Sequence, residues 1–187
     1  MAKVDGNIFM EHLSGVIGDQ LVIKRARGGG TIISKKRTFP PERAFSAAQL
    51  AQQQAFREAT AYGKLMKREP IYLAKANGSG QTGYNVAVAD WLHRPEILEI
   101  DLSGWTNGSG GVIRVRAQDD VRVQLVRVAI SDGSDALLEE GQASEASALW
   151  WEYHTTQPAA QDLRVTAIAM DLPGHVAERT EVKHISG

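Results

Sequence analysis

Two β-branched runs, Ser14–Arg25 and Thr31–Arg37, flank the triplet Gly28-Gly29-Gly30 near the start of the chain. Glycine reaches the positive φ angles that tight turns need, so this spacing predicts a β-hairpin. Phe39-Pro40-Pro41 ends the pattern, because consecutive prolines donate no ladder hydrogen bonds. A lone two-stranded hairpin is marginal in water, so it must pack on something, in the same subunit or in another.

The period then lengthens. Ala48, Ala51, Ala55, Ala59, Tyr62 and Met66 recur every three or four residues and define one face of a helix running to about Lys67. Ser46-Ala-Ala-Gln49 fits a capping box at its start. A shorter helix is expected from Pro70, which suits a first turn, to Asn77-Gly78, and a third over Tyr84–Leu92, closed by Pro95.

After Pro95 the pattern shortens again. Ile97–Leu102, Val112–Ala117, Val121–Ile130, Leu137–Gln142, Leu149–Tyr153, Leu163–Met170 and Val176–Ile185 are brief runs with partial or full alternation, separated by turn signals such as Asn107-Gly108, Asp132-Gly133 and Pro173-Gly174. Seven strands at this spacing predict an all-β sandwich. Ile113, Val115 and Ala117 should point inward and Arg114 and Arg116 outward. The expected fold class is α+β, with an N-terminal hairpin arm over residues 1–41, a helical segment over 42–95 and the sandwich over 96–187.

Composition changes this picture in three ways. The sequence has 187 residues and no cysteine, which excludes disulfides, thiolate metal sites and cysteine nucleophiles. No segment is long and apolar enough to span a membrane, and the N-terminus lacks the apolar core of a signal peptide, so no membrane insertion is expected. The chain reads as cytoplasmic, or as extracellular by a leaderless route or lysis. The net charge of −1 also conceals an asymmetry. Residues 1–94 hold 14 Lys+Arg against 7 Asp+Glu, and residues 95–187 hold 7 against 15. A basic front and an acidic back can steer head-to-tail association of copies, although each is also compatible with a solvated face.

The segments Ile113-Arg-Val-Arg-Ala-Gln-Asp-Asp120, Leu138-Glu-Glu-Gly-Gln-Ala143, Trp151-Glu-Tyr153 and Ala169-Met-Asp-Leu-Pro-Gly174 carry a resemblance. Together they are similar to bacterial immunoglobulin-like repeats of surface and adhesive proteins, which often show Ala-x-Asp-Asp, a late Trp-x-Tyr and Asp-x-x-Gly-Asn. The resemblance covers about residues 96–185, has His175 where asparagine is frequent, and implies an immunoglobulin-like sandwich without the antibody disulfide. The first half, with Leu13-Ser-Gly-Val-Ile-Gly18, Ser34-Lys-Lys36 and Ser46-Ala-Ala-Gln-Leu-Ala-Gln52, resembles uncharacterised bacterial proteins to which no activity attaches.

Catalytic constellations are missing. No Gly-x-Ser-x-Gly elbow occurs, and His12, His93, His154, His175 and His184 are scattered without a His-x-x-x-His pair. The glycine triplet precedes a strand and lacks the Gly-Lys-Ser/Thr of a phosphate loop. Asp119, Asp120 and Asp171 could gather at one end of the sandwich as calcium ligands, although turn capping explains them equally. Lys24, Arg25, Arg27, Lys35, Lys36 and Arg37 could contact phosphates, but the acidic half would repel a nucleic acid, and the acidic surface of another copy is the better partner.

The expectation is therefore a non-enzymatic structural protein, without cofactor or metal, that self-assembles head to tail into a filament or larger particle. The alternative is a monomeric immunoglobulin-like module that binds a protein or carbohydrate. The connecting element would be the arm, about Ile8–Lys36. Its interface residues would be Ile8, Phe9, Val16, Ile17, Leu21, Val22, Ile23, Lys24, Arg25, Ile32, Ile33, Lys35 and Lys36, joined by one of the adjacent Trp150 and Trp151.

Overall fold

A computed structural model describes residues 2–4, 13–25, 30–39, 44–106, 111–156, 158–160 and 163–183. The chain divides into two compact units, Met1–Ser46 and Ala47–Gly187.

The N-terminal unit is an antiparallel sheet of four strands, β1 (Ala2–Val4), β2 (Gly15–Ile17), β3 (Leu21–Arg25) and β4 (Thr31–Lys35), in the order β1-β4-β3-β2. The expected hairpin is the β3–β4 pair. What the pattern presents as one run from Ser14 to Arg25 is broken by a turn at Gly18-Asp19-Gln20, so β2 folds back onto β3. Gly18 supplies the left-handed conformation there, with φ +54°. Lys36 fastens the turn, its ammonium 2.9 Å from the Asp19 carboxylate. Gly28 and Gly29 of the triplet lie outside the described residues.

The second unit opens with three helices, α1 (Ala47–Met66), α2 (Pro70–Ala76) and α3 (Gly83–Leu92). Pro70 occupies the first turn of α2, and the Thr82 hydroxyl caps α3 by accepting from the Asn85 N–H. Only the second half of α1 is packed, with Ala59 and Gly63 buried and the first two turns exposed. The expected inner face is thus half right: Ala55, Ala59, Tyr62 and Met66 face neighbours, while Ala48 and Ala51 face solvent.

Eight strands follow: β5 (Glu96–Asp101), β6 (Val112–Gln118), β7 (Val123–Ser131), β8 (Leu137–Gln142), β9 (Ser144–Ser147), β10 (Trp150–His154), β11 (Leu163–Asp171) and β12 (Val176–Lys183). They form two antiparallel sheets, β5-β6-β10-β9 and β12-β11-β7-β8. Inward residues of both sheets, among them Ile100, Ile113, Val115, Val126, Val128, Ile130, Trp151, Val165 and Ala167, share one core. Two sheets facing across a common core make a β-sandwich. Where seven strands were expected, the described residues form eight. β9, Ser144-Glu-Ala-Ser147, is exposed throughout and has no alternation to betray it.

The inward side of β6 carries Ile113, Val115 and Ala117, as the pattern requires. Trp105 is fully buried under β6, and a Cβ at Gly111 would lie 2.4 Å from its ring and 2.8 Å from its Cα. Glycine is therefore the residue that fits there.

Candidate functional site

The described interface residues of the arm meet in one place. Residues paired across an antiparallel ladder share a face. Register thus puts Ile17, Leu21, Ile23, Arg25, Ile33 and Lys35 on one side of the N-terminal sheet, and Val16, Val22, Lys24 and Ile32 on the other. Apolar groups stand on both sides. Val16 is 57% exposed and Ile17 53%, and Leu21, Lys24, Arg25 and Lys35 are also exposed. Val22, Ile32 and Ile33 are half-buried. Ile23, at 3%, is buried, on the central strand β3 between Gly15 and Ile33. Ile8 and Phe9 lie outside the described residues.

The adjacent tryptophans belong to β10 in the other unit. Trp151 points inward and is core, whereas Trp150 pairs with Arg116 and Ser147 on the outer face and is half-buried. Neighbouring residues of a strand alternate between faces, so only one could enter the core.

A second arrangement was not visible in the sequence. Tyr72 of α2 is fully buried and donates its hydroxyl to Asp90 Oδ2 of α3 at 2.6 Å. Because that uses its one proton, Tyr62 of α1 must donate in the 2.6 Å contact between the two tyrosine oxygens. Asp90 is also fully buried, and its Oδ1 receives no donor. Asp119, between β6 and β7, accepts the N–H groups of Val121 and Arg122 with Oδ2, while its own Oδ1 is buried without a donor.

The Asp119 carboxylate lies near enough to Asp90 for its charge to oppose the ionisation of Asp90. Burial, with the Asp119 and Asp171 charges adding to it, pushes the Asp90 carboxyl up to about 7 against its hydrogen bond from Tyr72.

Asp171 lies fully buried at the end of β11 and accepts from the His175 N–H at 2.6 Å, with the His175 Nδ1 at 3.1 Å. Burial raises its carboxyl, and the bonds and charge of His175 pull it back. Trp91 of α3 packs edge-on against His175, with ring centroids 4.9 Å apart, and at a tilt of 39° against Tyr62, with ring centroids 5.1 Å apart. Tyr72, Ala76, Val86 and Ala87 form an apolar patch beside these groups, closed by Val121 and Leu172 from sandwich loops. All three helices are thereby fastened to one end of the sandwich.

The three aspartates named as calcium ligands take separate partners instead: Asp119 the β6–β7 turn, Asp120 the imidazole of His93, and Asp171 the His175 backbone and ring. Among the described residues no three such side chains gather as a metal would require.

Elsewhere Glu139 of β8 crosses between the sheets. It accepts from the Tyr153 hydroxyl at 2.8 Å, the Thr155 hydroxyl at 2.9 Å and the Thr156 N–H at 3.0 Å. Burial, then the bond to this carboxylate, pushes the Tyr153 phenol up to about 12.

Among the described residues no helix is long and apolar enough to cross a membrane. No protein-family profile matches the chain, and no curated protein does. Among solved structures, an engineered protein from the Northeast Structural Genomics Consortium is 22% identical over 48% of this chain and 19% of its own length, with a TM-score of 0.38. CopC from Methylosinus trichosporium OB3b is 16% identical over 48% of this chain and 90% of its own, with a TM-score of 0.37.

Proposed function

We propose that this chain is a non-enzymatic structural subunit that associates head to tail with copies of itself through its N-terminal sheet. The observation that carries the reading is the small sheet with apolar side chains on both faces, where Val16, Ile17 and Leu21 stand exposed. Exposed apolar side chains such as these gain free energy when a partner covers them. The excess of cations in residues 1–94 and of carboxylates in residues 95–187 gives the contact a direction, since like ends repel and unlike ends attract. A contact between unlike surfaces that does not close into a ring extends into a filament.

The sandwich is read as immunoglobulin-like. Support comes from the Ala117-Gln-Asp-Asp120 segment leaving β6, and from Trp151 and Tyr153, which both point into the core from β10. The Asp90–Asp119 pair is read as a fastening for the helices, because its other oxygens are occupied by Tyr72 and by the β6–β7 turn.

Sedimentation velocity over a wide concentration range, with negative-stain microscopy, tests the assembly reading. Oligomers that grow with concentration and dissolve in high salt are expected. A single 20.3 kDa species at high concentration would overturn the reading in favour of a monomeric binding module.

A further inference from the structure

We propose that the receptor for the N-terminal sheet is the outer edge of β8 (Leu137–Gln142), and that β2 (Gly15–Ile17) of a second copy adds to it as an extra strand. The inference rests on the self-assembly reading and specifies its second surface.

The two sides of the sandwich are finished differently. On the side where β5 and β12 lie, the Arg179 guanidinium donates to the Leu98 carbonyl at a bulge in β5, and the Lys183 ammonium donates to the Leu102 carbonyl at 2.7 Å. Bulges and cations of this kind block strand addition by occupying the acceptors an incoming strand would use. On the other side, the chain runs through β8, Ala143 and β9, switching from one sheet to the other. β9 offers only Ser144-Glu-Ala-Ser147, with no large apolar group to cover. β8 begins with Leu137, 58% exposed, and Leu138, 45% exposed. Among the described residues, no strand pairs with its outer edge.

β2 is the matching element. It is an edge strand of the N-terminal sheet, its outer side is unpaired among the described residues, and it carries Val16 and Ile17. Strand addition joins the free N–H and C=O groups of two edges and lets alternate side chains pack, here Val16 and Ile17 against Leu137 and Leu138. Charge agrees with this pairing. Lys24, Arg25 and Lys35 stand exposed on the strands behind β2, while Glu140 stands exposed on β8 near Arg127, and Asp132 and Asp135 hold the turn before it, Asp135 paired with Arg164. The Asp132 carboxyl is kept below its ordinary range by its bonds from Ser134 and Ala136, so that turn stays anionic.

The test uses full-length chains. A Val16→Lys chain keeps a working β8, and a Leu138→Lys chain keeps a working β2. Each variant alone should sediment as a monomer, and a 1:1 mixture should form a heterodimer and stop there. If Leu138→Lys alone assembles like the wild type, β8 is not the receptor, although the self-assembly reading stands. If the wild type itself stays monomeric, that reading fails and the inference falls with it. Since the sequence contains no cysteine, Val16→Cys and Leu138→Cys chains can also be mixed and oxidised. A disulfide-linked heterodimer is expected, with none when Leu138→Cys is replaced by Val182→Cys on the sealed side. Assembly without the Val16–Leu138 cross-link would overturn the proposal.

Discussion

Val115, Val126, Val128 and Val165 of the sandwich are completely buried, whereas Val16 and Ile17 of the N-terminal sheet are more than half exposed. Both regions are antiparallel ladders of β-branched residues. In the sandwich a second sheet supplies the other half of the core. In the N-terminal unit only Ile23 and Thr31 are buried among the described residues. The difference shows that a strand's residues set which groups line each face, while burial needs a second layer.

The largest loss is expected in the sandwich. Ile113→Ala should lower the unfolding free energy by about 3 kcal/mol, because a fully buried isoleucine leaves a cavity that a close-packed core does not refill. Denaturant titration of the Ile113→Ala chain checks this. Gly111→Ala should cost about 1–3 kcal/mol by the opposite route, overpacking against Trp105, and would be read from the same titration.

Next in size is the polar fastening between helices and sandwich. In the unfolded chain Asp90 ionises near its ordinary value of 3.8, but in the folded protein it keeps its proton until about pH 7. A carboxyl raised in this way contributes stability that is full below the lower value and is lost as pH rises through the higher one. The groups facing it are Tyr72 from α2, Asp119 from the β6–β7 turn and Asp171 from β11. Unfolding free energy should therefore fall as pH is raised from 4 to 8 in a titration series. Asp90→Asn keeps an acceptor for Tyr72 but cannot ionise, so it should remove most of that slope. A slope unchanged by Asp90→Asn would refute a raised Asp90 carboxyl as its source.

The smallest effect belongs to the N-terminal sheet. Val16→Ala should change the stability of the isolated chain by no more than about 0.5 kcal/mol, since little of its surface is buried to begin with. A large loss in dilute solution would show that this residue already has a cover within its own chain.

Much of the fold was legible in short-range pattern. β8 occupies the expected Leu137–Gln142, and the three helices start and stop close to Ser46, Lys67, Pro70, Asn77 and Leu92, where caps, proline and glycine act on the nearest turn. The turn at Gly18 was not legible, because Val16-Ile17 and Leu21-Val22 read as one run unless glycine is given its positive φ. β9 escaped because an exposed edge strand needs no apolar alternation. Nor could spacing reveal the Tyr62–Tyr72–Asp90 contacts, which join three helices through hydrogen bonds. A buried aspartate inside the apolar run Val86-Ala-Val-Ala-Asp-Trp-Leu92 was the one available signal.

Taken alone, the sequence determined local conformation and the residues each element would turn to either face, because those follow from steric preferences and from periods of 2 and 3.6. Only the tertiary structure decided which faces found a partner. It buried Ile23 and Trp151, left Val16 and Leu137 exposed, and brought distant carboxyl groups together. Burial and charge coupling depend on what approaches from elsewhere in the chain, and spacing along the chain does not encode that approach.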